Sequence, residues 1–124
     1  MSGIVDPRAE LDVAELYAPF SNTELHAIQD VGLCQPGEVG ERLMAGEFDL
    51  GGPLPVNPSG GVMCANPIAV TALVRVAEAA LQVQGRAEAH QVPRARTALA
   101  TGVGGDHQFF GAVVVSASPR GASS

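Results

Sequence analysis

Val56-Asn57-Pro58-Ser59-Gly60-Gly61, followed by Asn66-Pro67-Ile68 and an alanine-rich run to Gln84, is the stretch on which the reading of this 124-residue chain turns. Its prolines and glycines mark a loop, and Pro67 suits the first turn of a helix spanning about 66–84. Together they bring backbone N–H groups and a helix start to one place, an arrangement suited to an anion or a developing oxyanion. The plainer account is a tight loop whose glycines serve turn geometry. In the helix, Ile68, Val70, Leu73, Val74, Ala77, Leu81 and Val83 surround most of the circumference. Thr71, Arg75, Glu78 and Gln82 form one narrow polar stripe, with Arg75 and Glu78 at ion-pair spacing. A helix this apolar is expected to be buried on most sides, within the domain or against another chain. Gly85 closes it.

Upstream, Leu11 to Tyr17 reads as a short strand with Val13 and Leu16 inward, ended by Pro19. Ser21 and Glu24 form a capping-box pattern before a helix over about 23–31, and Gly32 ends it. Pro36-Gly37-Glu38 opens a second short helix with Val39, Leu43 and Met44 on its apolar side. Residues 49–61 are rich in turn formers and read as a functional loop holding a short strand, Leu54 to Asn57. Downstream, Arg96 to Thr101 reads as a strand, Gly102-Val103-Gly104-Gly105-Asp106 as a glycine turn, and Phe109 to Ser118 as the second arm of an antiparallel hairpin. The expected organisation is an N-terminal extension over 1–10, one α/β layered domain over 11–118 and a flexible tail over 119–124.

Composition excludes several classes. Hydrophobic residues make up 46% and charged residues 16%, too apolar for a disordered tail. Net charge is −6 and every basic residue is Arg, so no basic cluster grips nucleic acid or an anionic membrane, and no Lys is present for a Schiff base or P-loop. Arg75, Glu78 and Gln82 interrupt the longest apolar stretch, so a membrane span is not expected. Two cysteines, Cys34 and Cys64, make no disulfide scaffold, and the N-terminus has no signal pattern; a cytoplasmic location is expected.

The motifs resemble the C-terminal domain of the thiolases, in its sterol-carrier-type, lipid-transfer branch. There Asn-Pro-Ser-Gly-Gly leads into Gly-His-Pro-Ile-Gly-Ala-Thr-Gly, as Asn57-Pro58-Ser59-Gly60-Gly61 leads here into Asn66-Pro67-Ile68. Ala14-Glu15-Leu16-Tyr17-Ala18-Pro19-Phe20-Ser21 resembles the strand ending in the family's Asn-Glu-Ala-Phe or His-Asp-Cys-Phe. The segments around Glu24-Leu25, Gly32-Leu33-Cys34 and Pro36-Gly37-Glu38 resemble that branch as well. Gln82-Val83-Gln84-Gly85-Arg86 is similar to its Gln-Leu-Arg-Gly, and Gly104-Gly105 to the final glycine loop. The likeness covers about residues 10–118. It implies a half-domain with a mixed sheet and a long buried helix packed on it. It also implies an acyltransferase lineage in lipid or steroid-type acyl-CoA metabolism, with a coenzyme A thioester as substrate and no separate cofactor.

Departures from the pattern fall at the chemistry. The family's nucleophilic Cys belongs to an N-terminal domain, and neither Cys34 nor Cys64 matches it. The His of Gly-His-Pro is Asn66 here, an amide that donates a hydrogen bond but is no base near neutral pH. The family Cys before the last glycine loop falls at Gly102, and glycines around Pro-Ile become Ala65, Ala69 and Ala72, narrowing any pantetheine path. The Asn or His opening the Asn-Glu-Ala-Phe motif falls at Tyr17. A retro-aldolase branch acting on steroid side-chain CoA esters uses tyrosine at its site. The resemblance thus assigns catalytic positions to Asn66 and Tyr17 and the substrate-binding side to Asn57, Ser59, Gly60, Gly61, Gly104, Gly105 and His107.

The remaining candidates read more plainly. His26, His90 and His107 lack metal spacing, so no metal site is expected; His26 reads as a surface residue and His90 as solvated in a loop. Cys64 precedes a helix start, where a thiolate is favoured, although a small buried residue is the simpler account. The chain starts at the strand holding Tyr17, so the first strand and helix of the family's C-terminal half are expected to be lacking. A thiolase-like N-terminal chain or a homo-oligomer is then expected to cover the apolar helix. Three readings follow. The first is a thiolase-like subunit or fragment, inactive alone, that supplies the acyl-CoA and oxyanion side of a site. The second is a non-catalytic interaction module for a thiolase-like or OB-fold partner. The third is part of a retro-aldolase using Tyr17.

Overall fold

The computed structural model describes residues 3–105 and 108–118. Three strands form one mixed sheet: β1 (Val13–Glu15), β2 (Thr97–Gly104) and β3 (Phe109–Ser116), in the order β1-β2-β3. β1 runs parallel to β2 with Val13 opposite Ala98 and Glu15 opposite Ala100. β2 and β3 are antiparallel, Thr97 opposite Ser116 and Gly104 opposite Phe109. On the other side of β1, Val56 makes a parallel bridge to Ala14, so the expected strand at 54–57 is a single rung. The sheet linking the segments near 12–17, 96–101 and 109–118 is therefore present. Gly102 and Gly104 lie within β2 rather than in a turn.

Alternation along β1 and β2 makes two cores. On one face Ala14, Leu16 and Leu99 pack with Leu11, Ile28, Leu33, Phe48 and Leu54. On the other, Val13, Ala98 and Ala100 pack with Ala79, Val92 and Ala95. The small residues on this second face let a long helix lie close to the sheet. A groove of about 380 Å³, lined by Leu11, Asp30, Leu99, Phe110 and Val114 among others, opens on the first face.

The helices are α1 (Pro7–Glu10), α2 (Ser21–Asp30), α3 (Val39–Met44), α4 (Gly61–Cys64) and α5 (Thr71–Gln84), with a 3₁₀ turn at Glu88–His90. α1 lies where the sequence reading found no structure signal. Its cause is legible in hindsight: Asp6 accepts from the Arg8 and Ala9 amides, and Pro7 occupies the first turn. α2 starts two residues earlier than expected, and its cap differs. Thr23 Oγ1 accepts from the Phe20 amide and donates to the Phe20 carbonyl, while Glu24 reaches Asn57 instead. α5 starts at Thr71, not residue 66, because Ala69 takes a positive φ of 75° and breaks the helical run. Gly85, at φ 69°, ends it in a left-handed turn.

The main correction concerns the faces of α5. Thr71, Arg75, Ala79 and Gln82 are buried against the sheet, so most of the polar stripe points inward. Leu73 is 67% exposed and the preceding Ile68 is 89% exposed. Hydrogen bonding explains the inversion, since each inward polar chain finds a partner. Arg75 meets Glu15, Thr71 meets Asn66, and Gln82 binds the His90 carbonyl and the Val92 amide. Glu78 pairs with His90 at 3.0 Å rather than with Arg75, so His90 is not simply solvated. Among the described residues, no helix is long and apolar enough to cross a membrane.

Candidate functional site

Glu15 is the last residue of β1 and faces α5 by strand alternation. Its Oε2 accepts from Arg75 Nη1 at 2.9 Å and from Ser59 Oγ at 2.7 Å, and its Oε1 accepts from the Ser59 amide at 3.2 Å. Glu15 is fully buried and Arg75 is 2% exposed. Burial pushes the Glu15 carboxyl above the usual carboxylate range, against the opposing pull of Ser59 and Arg75. Asn57 makes the second clasp. Its Oδ1 accepts from the Leu16 amide at 2.7 Å and its Nδ2 donates to Glu24. Its φ of 51° is left-handed, which Asn tolerates.

These bonds reassign several expected roles. Asn57 and Ser59 direct their polar atoms into the protein. The Gly60 amide donates to the Asn57 carbonyl and the Gly61 amide to Ser59 Oγ, so neither is turned outward as an oxyanion donor. A Cβ at Gly60 would lie 2.6 Å from Cys64 Sγ, which makes the glycine a packing requirement. Gly104 is half-buried at the end of β2, and Gly105 is exposed at φ 63°. His107 lies outside the described residues.

Asn66 stands exposed between α4 and α5. Thr71 Oγ1 lies 2.8 Å from its Oδ1 and 2.9 Å from the Pro67 carbonyl and shares one proton between them, and Nδ2 is the end of Asn66 able to donate outward. Tyr17 follows β1, half-buried, and its amide donates to Thr101 Oγ1 at 2.8 Å. Thr101 precedes Gly102, and a Cβ on Gly102 would lie 2.6 Å from Ala72 Cβ. Ala72 in turn follows Thr71, the residue that holds Asn66. Tyr17, Gly102 and Asn66 are thus linked through adjacent contacts at the ends of β1 and β2 and the start of α5. Among the described residues, no group of three His, Cys, Asp or Glu side chains is placed to hold a metal ion.

Ala69 carries strain at this place. A left-handed conformation costs a non-glycine residue about 1–2 kcal/mol, and glycine adds back some unfolded-state entropy. Ala69→Gly is therefore expected to stabilise the chain by about 0.5–1 kcal/mol in denaturant unfolding. The cysteines divide as well. Cys34 is buried, and burial pushes its thiol up, whereas Cys64 is exposed, contrary to the buried reading. A thiol reagent at pH 8 is expected to label one site rapidly and the second only on unfolding. Cys64→Ser should remove the fast phase; a fast phase surviving it would refute the assignment.

Residues 4–117 match the family described as thiolase C-terminal domain-like. The chain belongs to that family. It is 37% identical over 109 residues to sterol carrier protein 2 of Rattus norvegicus, an overlap covering 87% of this chain and 19% of the relative. It is 32% identical over 97 residues to an acetyl-CoA acetyltransferase of Methanothermobacter thermautotrophicus, covering 77% of this chain and 25% of that protein. A solved structure named Ltp2-ChsH2(DUF35) aldolase superposes with a TM-score of 0.73 at 25% identity, covering 87% of this chain and 27% of its own. The chain thus spans about a fifth to a quarter of the length of these relatives.

Glu15 and Arg75, which anchor the thiolase-like loop, are not among the site residues that the sequence suggests. One signal pointed to them: an acidic residue inside an otherwise apolar strand, opposite a polar stripe on an apolar helix.

Proposed function

We propose that this thiolase C-terminal-like domain binds the thioester end of an acyl-CoA in a two-part site, and that a thiolase-like N-terminal chain supplies the rest. The observation that carries the reading is the exposed Asn66: its carbonyl oxygen faces Thr71 Oγ1, which leaves the amide N–H to donate to a thioester oxygen. No separate cofactor enters this reading; the coenzyme A ester is the substrate. The exposed apolar residues on and before α5, Ile68 and Leu73, support a covering partner or a second copy. A reducing, cytoplasmic setting suits its two free thiols.

A second reading, retro-aldol cleavage, is supported by the similarity to a structure named as an aldolase and by Tyr17. In such a step a base removes the proton of a β-hydroxyl, the oxygen closes to a new carbonyl as the Cα–Cβ bond breaks, and that bond's electron pair moves to the thioester oxygen as an enolate, which is then protonated at Cα. Tyr17 would serve the proton and Asn66 the oxygen. Gly102, closed against Ala72, offers no side chain for proton transfer in the condensing direction.

The test is the chain alone and with a thiolase-like N-terminal chain, given acetoacetyl-CoA plus free CoA, and separately a β-hydroxyacyl-CoA. No turnover is expected from the chain alone. With the partner, Asn66→Ala should lower thioester turnover and Asn66→Asp should lower it further, by placing a charge beside the developing oxyanion. Tyr17→Phe should abolish cleavage of the β-hydroxy substrate and spare thiolysis if the aldolase reading holds. Wild-type affinity for the thioester in Asn66→Ala would refute the proposal.

A further inference from the structure

We propose that Glu15 and Arg75 are positioning residues for this site, acting through Ser59: the ion pair clamps the Ser59 hydroxyl, and that hydroxyl holds the Gly61 amide in the loop leading to Asn66. The inference rests on the thioester-binding reading and adds the residues that set its geometry.

Three separate parts of the chain converge on one oxygen. Ser59 Oγ donates to Glu15 Oε2 at 2.7 Å, accepts from Arg75 Nη1 at 2.9 Å and accepts from the Gly61 amide at 3.2 Å. A hydroxyl has one proton and two lone pairs, so every bonding position of Ser59 is occupied. Rotating its side chain would break all three bonds. The same Glu15 also binds the Ser59 amide, which fixes backbone and side chain together. The loop tolerates little change around these bonds: a Cβ at Gly61 would stand 3.0 Å from Asn57 Cγ.

Stability is a weak explanation for such a cluster. Apolar replacements of a buried ion pair are often as stable, and the better-attested use of one is to specify a single arrangement. Arg75 Nε is buried without a hydrogen-bond partner among the described residues, a defect that a purely stabilising pair has no reason to keep. What the cluster specifies is the loop, since two of the three bonds at Ser59 come from β1 and α5.

The experiment is backbone amide exchange by NMR on the full chain, comparing wild type, Ser59→Ala and the double variant Glu15→Gln/Arg75→Gln. The Gly61 amide is expected to exchange about tenfold faster relative to the core amides of Ala98 and Ala100 in both variants. A uniform change across both segments is what a merely structural role produces, and it would overturn the proposal. Where that double variant fails to fold, Glu15→Leu/Arg75→Met, which removes both charges and keeps Ser59, carries the test. A second readout is acetoacetyl-CoA binding by the chain with its thiolase-like N-terminal partner. Ser59→Ala should weaken it about fivefold, with recovery in Ser59→Thr, which keeps the hydroxyl. Unchanged affinity in Ser59→Ala overturns the positioning role. Wild type that binds no thioester removes the functional reading instead, and the exchange contrast then decides whether the pair fixes the loop.

Discussion

Arg75→Met is expected to destabilise the chain by about 3–5 kcal/mol, because it leaves Glu15 buried without its countercharge. Domains of this size are stable by about 5–15 kcal/mol in total, so the variant should sit near the edge of folding. Urea unfolding followed by circular dichroism measures it, as a fall in midpoint with the slope retained. A loss below about 1 kcal/mol would mean the pair contributes as little as an exposed one. Glu15→Leu/Arg75→Met, which removes both charges, should recover much of the loss. Acidity gives the same pair a second signature. Because burial raises the Glu15 carboxyl, the folded chain holds that proton more tightly than the unfolded chain. Its contribution is complete below the ordinary carboxylate value and is lost as pH rises through the raised one. Wild type should therefore lose stability relative to Glu15→Gln as pH climbs through that window, and a parallel pair of pH profiles would contradict the assignment.

Gly102→Cys is the second large effect. A Cβ at this position meets Ala72 Cβ at 2.6 Å, and both lie on regular backbone with no long side chain to swing away. Overpacking of this kind costs about 1–3 kcal/mol. Ala72→Gly removes the opposing methyl, so the double variant should recover most of that cost beyond the ordinary penalty for glycine in a helix. A thermodynamic cycle over the two sites is expected to show a coupling of about 1–2 kcal/mol. Additive effects would show that the contact relaxes freely. The pair has a functional side as well. By resemblance, position 102 is where the thiolases carry a cysteine and position 72 a glycine. Here the space has passed from the strand to the helix, so restoring the cysteine requires both changes.

The family layering was legible because its signals are local and redundant. Val13 and Leu16, the glycine-rich loop and the apolar hairpin arm each obeyed a short-range rule, and motif order tied them together. Element ends were less legible. Ala69 holds a backbone conformation that its own side chain disfavours, so nothing in an Asn-Pro-Ile-Ala-Val run announces a helix starting at Thr71. The faces of α5 were misread for a different reason. Amphipathic reasoning sends polar residues to water, yet Arg75 is satisfied by Glu15, far away in sequence, and Gln82 by a carbonyl and an amide of the loop that follows the helix. Their burial depends on partners outside the helix itself, which its periodicity does not register. At the site, Tyr17 and Asn66 were named from the resemblance, and the structure links them through Thr101, Gly102 and Ala72. The glycine amides, in contrast, read as open donors only because the hydroxyl and carbonyl that take them up could not be located from the sequence.

If the proposed partner or second copy covers the outward apolar side chains at Ile68 and Leu73, the stability of this chain depends on concentration. Whatever covers that face binds the folded form and not the unfolded one, so melting temperature becomes a function of how much of the covering surface is present. Burying the face also removes apolar area from water, which gives the association a negative heat-capacity change and weakens it on cooling. A melting curve measured at a single dilution would therefore describe the mixture in the cuvette rather than a constant of the polypeptide.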